Sequence, residues 1–202
     1  MRCSFYALIS RMKSIARWSL MRNSAVENVQ EHSHMVAVIA HALAVIRRDV
    51  FGGDADPGAT AAAALYHDAS EIFTGDLPTP IKYFDPEIMT AYKRVETLAS
   101  QKLLGSLPAE MRPAYEPLLC PDVSLEVSRL VKAADSIAAH IKCIEEMKAG
   151  NLEFRLAAGQ TRGKLAAMDM PEVEYFIEHF IPAFELTLDE LDLAINNSRV
   201  QA

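Results

Sequence analysis

Cysteine, tryptophan and basic charge are all scarce in this sequence. Its three cysteines, Cys3, Cys120 and Cys143, stand far apart in 202 residues. That spacing offers neither a disulfide framework nor a thiolate metal site, and it fits a reducing, cytoplasmic setting. Long hydrophobic runs are missing too. Even the apolar N-terminus MRCSFYALISRMKSIARW is interrupted by Arg11 and Lys13, so neither a signal peptide nor a membrane span is expected. Lysine and arginine number 20 against 27 aspartates and glutamates. An acidic body argues against a nucleic-acid polymer as partner, since phosphate backbones need broad basic surfaces. Also absent are an alternating run of β-branched residues long enough for a strand, an internal repeat and a low-complexity linker. What remains is ordinary globular composition, 50% apolar and 23% charged, in a length that suits one domain, residues 1–202.

What is present reads as helix almost throughout. Phe5, Leu8, Ile9, Met12 and Ile15 recur at helical spacing in an N-terminal segment. That segment also carries Arg2, Arg11, Lys13, Arg17 and Arg22 ahead of the first acid, Glu27. Such a segment is either a solvated basic face or a surface for a small anion. Val29, His32, Val36, Ile39, Leu43 and Ile46 form one stripe of a second helix, opened by a capping pair of Asn28 and Glu31. A third helix is predicted from Asp56-Pro57 through the alanines to His67. Further helices are expected over 86–105, Met111–Leu119, 151–167 and 171–186. A long helix is expected from a Ser124 cap to Ala149, closed by Gly150-Asn151. Thr187 and Glu190 offer a last capping box before a frayed tail. The class is all-α.

Against this apolar background a few polar residues stand out. His32 sits on the apolar stripe, and His67-Asp68 end an alanine-rich helix. Glu71 follows one turn later, on the same face if the helix continues. Asp135 lies beside the stripe of Val131, Ala134, Ile137, Ala138 and Ile141 in LVKAADSIAAHI. Each alone has an ordinary explanation as a hydrogen-bonded core group. Together they gain a second one, because buried carboxylates cost several kcal/mol unless paired or metal-bound. Two imidazoles and two carboxylates suit a divalent ion such as Mn²⁺, Co²⁺, Fe²⁺ or Zn²⁺. His34, His41, His140 and His179 are expected to be surface or structural.

The spaced set His32, His67-Asp68 and Asp135 resembles the H…HD…D signature of the HD-domain metal-dependent phosphohydrolases. RWSLMRN (17–23), EHS (31–33), YHDASEIFTGDLPTP (66–80), VKAAD (131–135) and GNLEF (150–154) together look like the bacterial 5′-deoxynucleotidases. The likeness runs over about residues 5–188, with nothing recognisable in 189–202. It implies a single HD-domain helical bundle, homodimeric, acting on deoxyribonucleoside 5′-monophosphates. It also implies that His32, His67, Asp68 and Asp135 hold one divalent metal ion, Co²⁺, Mn²⁺ or similar. Glu71 is then the catalytic acid or base. Arg17, Trp18 and the loop Asp76, Leu77, Pro78 and Thr79 contact the nucleotide alongside the metal ligands His32, Asp68 and Asp135. Trp18 has an ordinary role open to it as a hydrophobic anchor for the N-terminal segment, and Asp76 as a turn residue. Two alternatives stand beside this expectation: an HD phosphohydrolase of nucleoside triphosphates or phosphodiesters, and a non-catalytic nucleotide-binding module.

Overall fold

The computed structural model describes residues 3–82, 84–122 and 125–200. Among these residues the fold is all-α, with one isolated antiparallel bridge between Ala16 and Asn28 and no strand. The N-terminal segment departs from the expected continuous helix. It forms α1 (Phe5–Ile9) and then a 3₁₀ turn over Ser10–Ser14. Ser10 Oγ donates to the Ala7 carbonyl at 2.9 Å, the kind of local bond that competes with the helical ladder. Phe5 and Met12 are the buried residues here, and Phe5 packs with Ala69, Leu103, Leu107 and Leu119.

α2 (Val29–Val45) opens with the anticipated box: Asn28 Oδ1 accepts from the Gln30 and Glu31 amides at 3.0 Å each, and Glu31 Oε2 accepts from the Asn28 amide at 3.3 Å. Its whole predicted stripe is buried, His32 included. The helix widens into a π turn over Ile46–Val50. α3 (Pro57–Leu65) is capped by Asp56, whose Oδ1 accepts from the Ala59 amide at 2.9 Å.

α3 does not reach His67 as expected. The Ala64 carbonyl, which a continuing helix would offer to the Asp68 amide, accepts instead from His67 Nδ1 at 2.7 Å. The chain tightens into i→i+3 bonds, Tyr66 to Ala69 and Asp68 to Glu71, before the single-turn α4 (Glu71–Thr74). His67, Asp68 and Glu71 therefore do not share one helical face.

Beyond Gly75, at φ +69°, come α5 (Thr79–Lys82), α6 (Pro86–Gly105) and α7 (Arg112–Leu119). α8 (Glu126–Lys148) ends at Gly150, whose φ of +84° supplies the left-handed turn. The expected cap at Ser124 lies outside the described residues; Leu125 occupies the capping position. α9 (Arg155–Ala166) follows a short 3₁₀ turn. The helix expected over 171–186 divides into α10 (Pro171–His179) and a 3₁₀ turn over Ile181–Glu185, where Pro182 has no amide to donate. Thr187 and Glu190 form their box, and the segment read as a frayed tail is helical as α11 (Leu188–Val200). α2, α3 and α8 pack together, with Ala40, Ala44, Ala64, Ala133 and Ala134 fully buried between them. Small side chains let the three axes approach closely, which brings their polar residues within reach of one another.

Candidate active site

Three elements supply the cluster. His32 comes from the first turn of α2, His67 and Asp68 from the tight turn after α3, and Asp135 from mid-α8. His32 Nε2 is 3.1 Å from Asp135 Oδ1 and 3.7 Å from Asp68 Oδ2, and His67 Nε2 is 3.1 Å from that same Asp68 oxygen. The donor atoms of His32, His67 and Asp135 all lie within 4.8 Å of one another. Asp68 stands beside them through its contacts to both imidazoles.

The residues fit a divalent cation. His67 gives its Nδ1 proton to the Ala64 carbonyl, so the neutral ring presents a bare Nε2. That buried Nε2 meets only Asp68 Oδ2, at 3.1 Å, and His32 Nδ1, which faces Glu27 Oε1 at 3.9 Å, has no hydrogen-bond partner. The electrostatics say the same. Burial works to lower the His67 pKa, yet the charges of Asp68 and Asp135 outweigh it and push it up to about 9. Burial works to raise Asp68, but His67, His32 and Arg17 hold it below the usual carboxylate range. Without a metal the imidazole takes up a proton in its place, as a site built for positive charge would.

Glu71 is 9% exposed, and its Oε2 has no hydrogen-bond partner. Burial, then the neighbouring charges of Asp68 and Asp76, push its pKa up to about 9, against the opposing pull of Arg17 and Lys82. It carries a proton at neutral pH. Asp76 is raised mainly by burial, while Arg17 and the Trp18 amide, which donates to it, act the other way. Leu77 and Pro78 are half-buried on the loop that follows, and Thr79 is exposed where α5 begins.

Arg17 and Trp18 reach the cluster through a residue that the sequence reading missed. Glu27 Oε2 accepts from Arg17 Nε at 3.2 Å and from Trp18 Nε1 at 3.1 Å, while Arg17 Nη1 donates to Asp68 Oδ2 at 3.3 Å. Trp18 has φ +57°, an uncommon conformation for so large a side chain, and its indole packs on Phe154 with ring centroids 5.3 Å apart. The anchoring role open to Trp18 is thus present, on Phe154.

A second overlooked group holds this loop in place. Buried Glu146 pairs with Lys142 and accepts from the Ser24 and Ala25 amides at 2.8 and 3.2 Å and from Asn151 Nδ2 at 2.8 Å. Asn151 also donates to the Arg22 carbonyl at 2.7 Å. GNLEF is therefore the far anchor of the loop bearing Arg17 and Trp18. The other histidines stay apart: His34 and His41 are exposed, His140 bonds Thr161 Oγ1 at 2.9 Å, and His179 stacks on Tyr175.

Known proteins share both the fold and the sequence. An HD-domain phosphohydrolase from Listeria innocua superimposes with a TM-score of 0.78 at 23% identity, covering 98% of each chain. A cyanophage S-2L HD phosphohydrolase, bound to dA and one catalytic Zn²⁺ ion, superimposes at 0.55 and 19% identity, over 87% of this chain and 95% of that one. A 5′-deoxynucleotidase of Vibrio vulnificus is 50% identical over 188 residues, 93% of this chain and 97% of that protein. One from Klebsiella pneumoniae is 49% identical over the same length, 93% of this chain and 94% of that protein. The family described as 5′-deoxynucleotidase YfbR-like matches residues 4–184, and with half of its residues shared with such relatives, this chain belongs to that family.

Proposed function

We propose that this chain is a divalent-metal-dependent 5′-deoxynucleotidase, hydrolysing deoxyribonucleoside 5′-monophosphates to a deoxynucleoside and inorganic phosphate and selecting against ribonucleotides. The observation that carries it is the convergence of His32, His67, Asp68 and Asp135 beside a buried, protonated Glu71, in a chain half identical to named 5′-deoxynucleotidases. His32, His67, Asp68 and Asp135 would hold the metal. Their mixed N/O donors suit Co²⁺, Mn²⁺ or Zn²⁺, and the fold is that of a zinc-bound HD phosphohydrolase. When bound, such an ion offsets phosphate charge and lowers the pKa of a bound water.

The chain's own residues supply the rest. Arg17, already steered by Glu27 and Asp68, offers its planar fork to the phosphate. Glu71 is placed for proton transfer to the leaving 5′ oxygen or from the attacking water. Trp18, braced by Glu27 and Phe154, presents a fixed wall to the sugar that leaves little room for a 2′-hydroxyl. Asp76 accepts from a sugar hydroxyl, and Leu77, Pro78 and Thr79 close over the nucleoside. The same reading makes residues 1–202 one domain, family-like over about 5–188, of a cytoplasmic homodimer. Its support is the family match and three cysteines that are all free thiols.

The test is phosphate release from dAMP and AMP, with added Mn²⁺ or Co²⁺ and with chelator. Metal-dependent release from dAMP but hardly from AMP is expected. Equal release from both removes the sugar selectivity, and release of pyrophosphate or triphosphate from a nucleoside triphosphate, with dAMP untouched, removes the assignment.

A further inference from the structure

α6 has two unlike faces. On its inner face Tyr92 Oη meets Thr74 Oγ1 at 3.4 Å, Glu96 Oε1 accepts from Lys82 Nζ at 2.9 Å, and Ala99 and Leu103 are buried. Its outer face, together with Phe84 just ahead of the Asp85 cap, carries Phe84, Ile88, Ala91, Val95 and Leu98 at successive spacings of four, three, four and three residues. All five are exposed, Phe84 by 83%, Ile88 by 40%, Val95 by 49% and Leu98 by 56%. Of this 20-residue helix only Ala99 and Leu103 are buried, so its first three turns bury no residue against the rest of the chain. A solvated helix face is polar. A sustained apolar repeat averaging 3.5 residues is the pattern of a seam between two helices.

The charges beside the seam select the occupant. Glu87 and Arg94 lie seven residues apart on one side of it, and both are exposed. Laid antiparallel on a second copy of itself and centred on Ala91, α6 sets Phe84 against the partner's Leu98 and Ile88 against the partner's Val95. Ala91, the smallest of the five, sits at the crossing. Glu87 then faces the partner's Arg94, twice over by two-fold symmetry. A parallel pairing would turn that side of the seam towards the partner's other side, and the Glu87–Arg94 pair would not form.

We propose that the outer face of α6 is the two-fold interface through which two copies of this chain associate, antiparallel and centred on Ala91. This names the surface for the homodimer of the preceding section and rests on that reading only for the number of subunits. The inner face of the same helix holds Thr74 and Lys82, at the two ends of the loop carrying Asp76 to Thr79. Dimerisation therefore braces that loop from behind.

The test is sedimentation equilibrium of the full chain at about ten micromolar, with helicity by circular dichroism, for wild type, Leu98→Glu, Glu87→Arg, Arg94→Glu and the double reversal Glu87→Arg/Arg94→Glu. Expected are a wild-type mass twice the 22.3 kDa of one chain, a helical Leu98→Glu monomer, weakened dimers for each single reversal, and recovery in the double. A monomeric wild type overturns the dimer while leaving the phosphatase assay to stand on its own result. A dimer untouched by all four changes places the interface elsewhere. Two reversals that weaken additively, without rescue, overturn the antiparallel register. Should Leu98→Glu fail to fold, the three charge variants decide the matter alone.

Discussion

His67 and Glu71 both gain protons in this site, and the two protons have different fates. The His67 proton occupies the position a cation would take, with a pKa of about 9. Metal binding must release it below that pH, so affinity should rise about tenfold per pH unit between 7 and 9 and then level off. Titration calorimetry in two buffers of different ionisation heat reads this as about one proton released per ion; no release would remove His67 from the ligand set. The Glu71 proton is the one that the proposed chemistry would use. Glu71→Gln should lower kcat by about 10²- to 10⁴-fold while bound metal and dAMP affinity stay near wild type, measured by elemental analysis and single-turnover binding. Trp18→Ala should raise AMP turnover relative to dAMP, read as the ratio of kcat/KM values; an unchanged ratio would leave the indole only its place on Phe154. His32 and Asp135 were legible because each interrupts or borders a regular 3.6-residue stripe. Glu27 was not. It lies in an irregular loop, and its partners Arg17 and Trp18 come to it through the backbone bond from the Arg17 amide to the Glu27 carbonyl, which no periodicity encodes.

Elements were easiest to read where side-chain caps and apolar period agree. α2, α6 and α8 fall close to their expected bounds. The turn after α3 shows the opposite case. Its sequence is helix-compatible, and the helix stops because His67 takes the Ala64 carbonyl for itself, a three-dimensional preference that no propensity scale holds. The loop from Arg17 to Val26 belongs to this scale as well, since α8 holds it through Glu146. Burial would raise the Glu146 pKa, but Lys142, Asn151 and the Ser24 and Ala25 amides bring it down to about 2 from an ordinary 4.5. Because the folded value is the lower one, this stabilisation is complete above pH 4.5 and is lost as the pH falls towards 2. Glu146→Gln leaves Lys142 buried and unpaired, and should cost about 3 kcal/mol at pH 7. Urea unfolding should show the gap between wild type and variant narrowing below pH 4.5. A gap independent of pH would mean that the loop is held some other way. The variant should also raise KM for dAMP more than it lowers kcat, because Arg17 and Trp18 hang from the loop it frees.

At the scale of the whole molecule, the proposed metal site would tie α2 and α8 to the turn that follows α3, and α2, α3 and α8 all contribute to the main core. An ion bound only by the folded state stabilises it by about 2.7 kcal/mol at a hundred times its Kd. Adding Mn²⁺ should therefore raise the Tm by several degrees, and chelator should reverse it. Asp135→Ala should abolish the shift; a shift of the same size in that variant would place the ion elsewhere. The all-α class was legible from the lack of alternation and the abundance of caps. The convergence of three distant segments was legible only as an assumption, because nothing in a linear chain states which helices are neighbours.

Trp18 is the sole tryptophan in 202 residues, and it stands with its indole nitrogen on Glu27 and its ring against Phe154, one residue from Arg17. The chain thus carries its own optical reporter beside the candidate site. Indole emission responds to nearby charge and to stacked rings, so arrival of a nucleobase or a metal should change its colour or yield without any label. Stopped-flow recordings of that emission would separate the arrival of substrate from its hydrolysis in the native sequence.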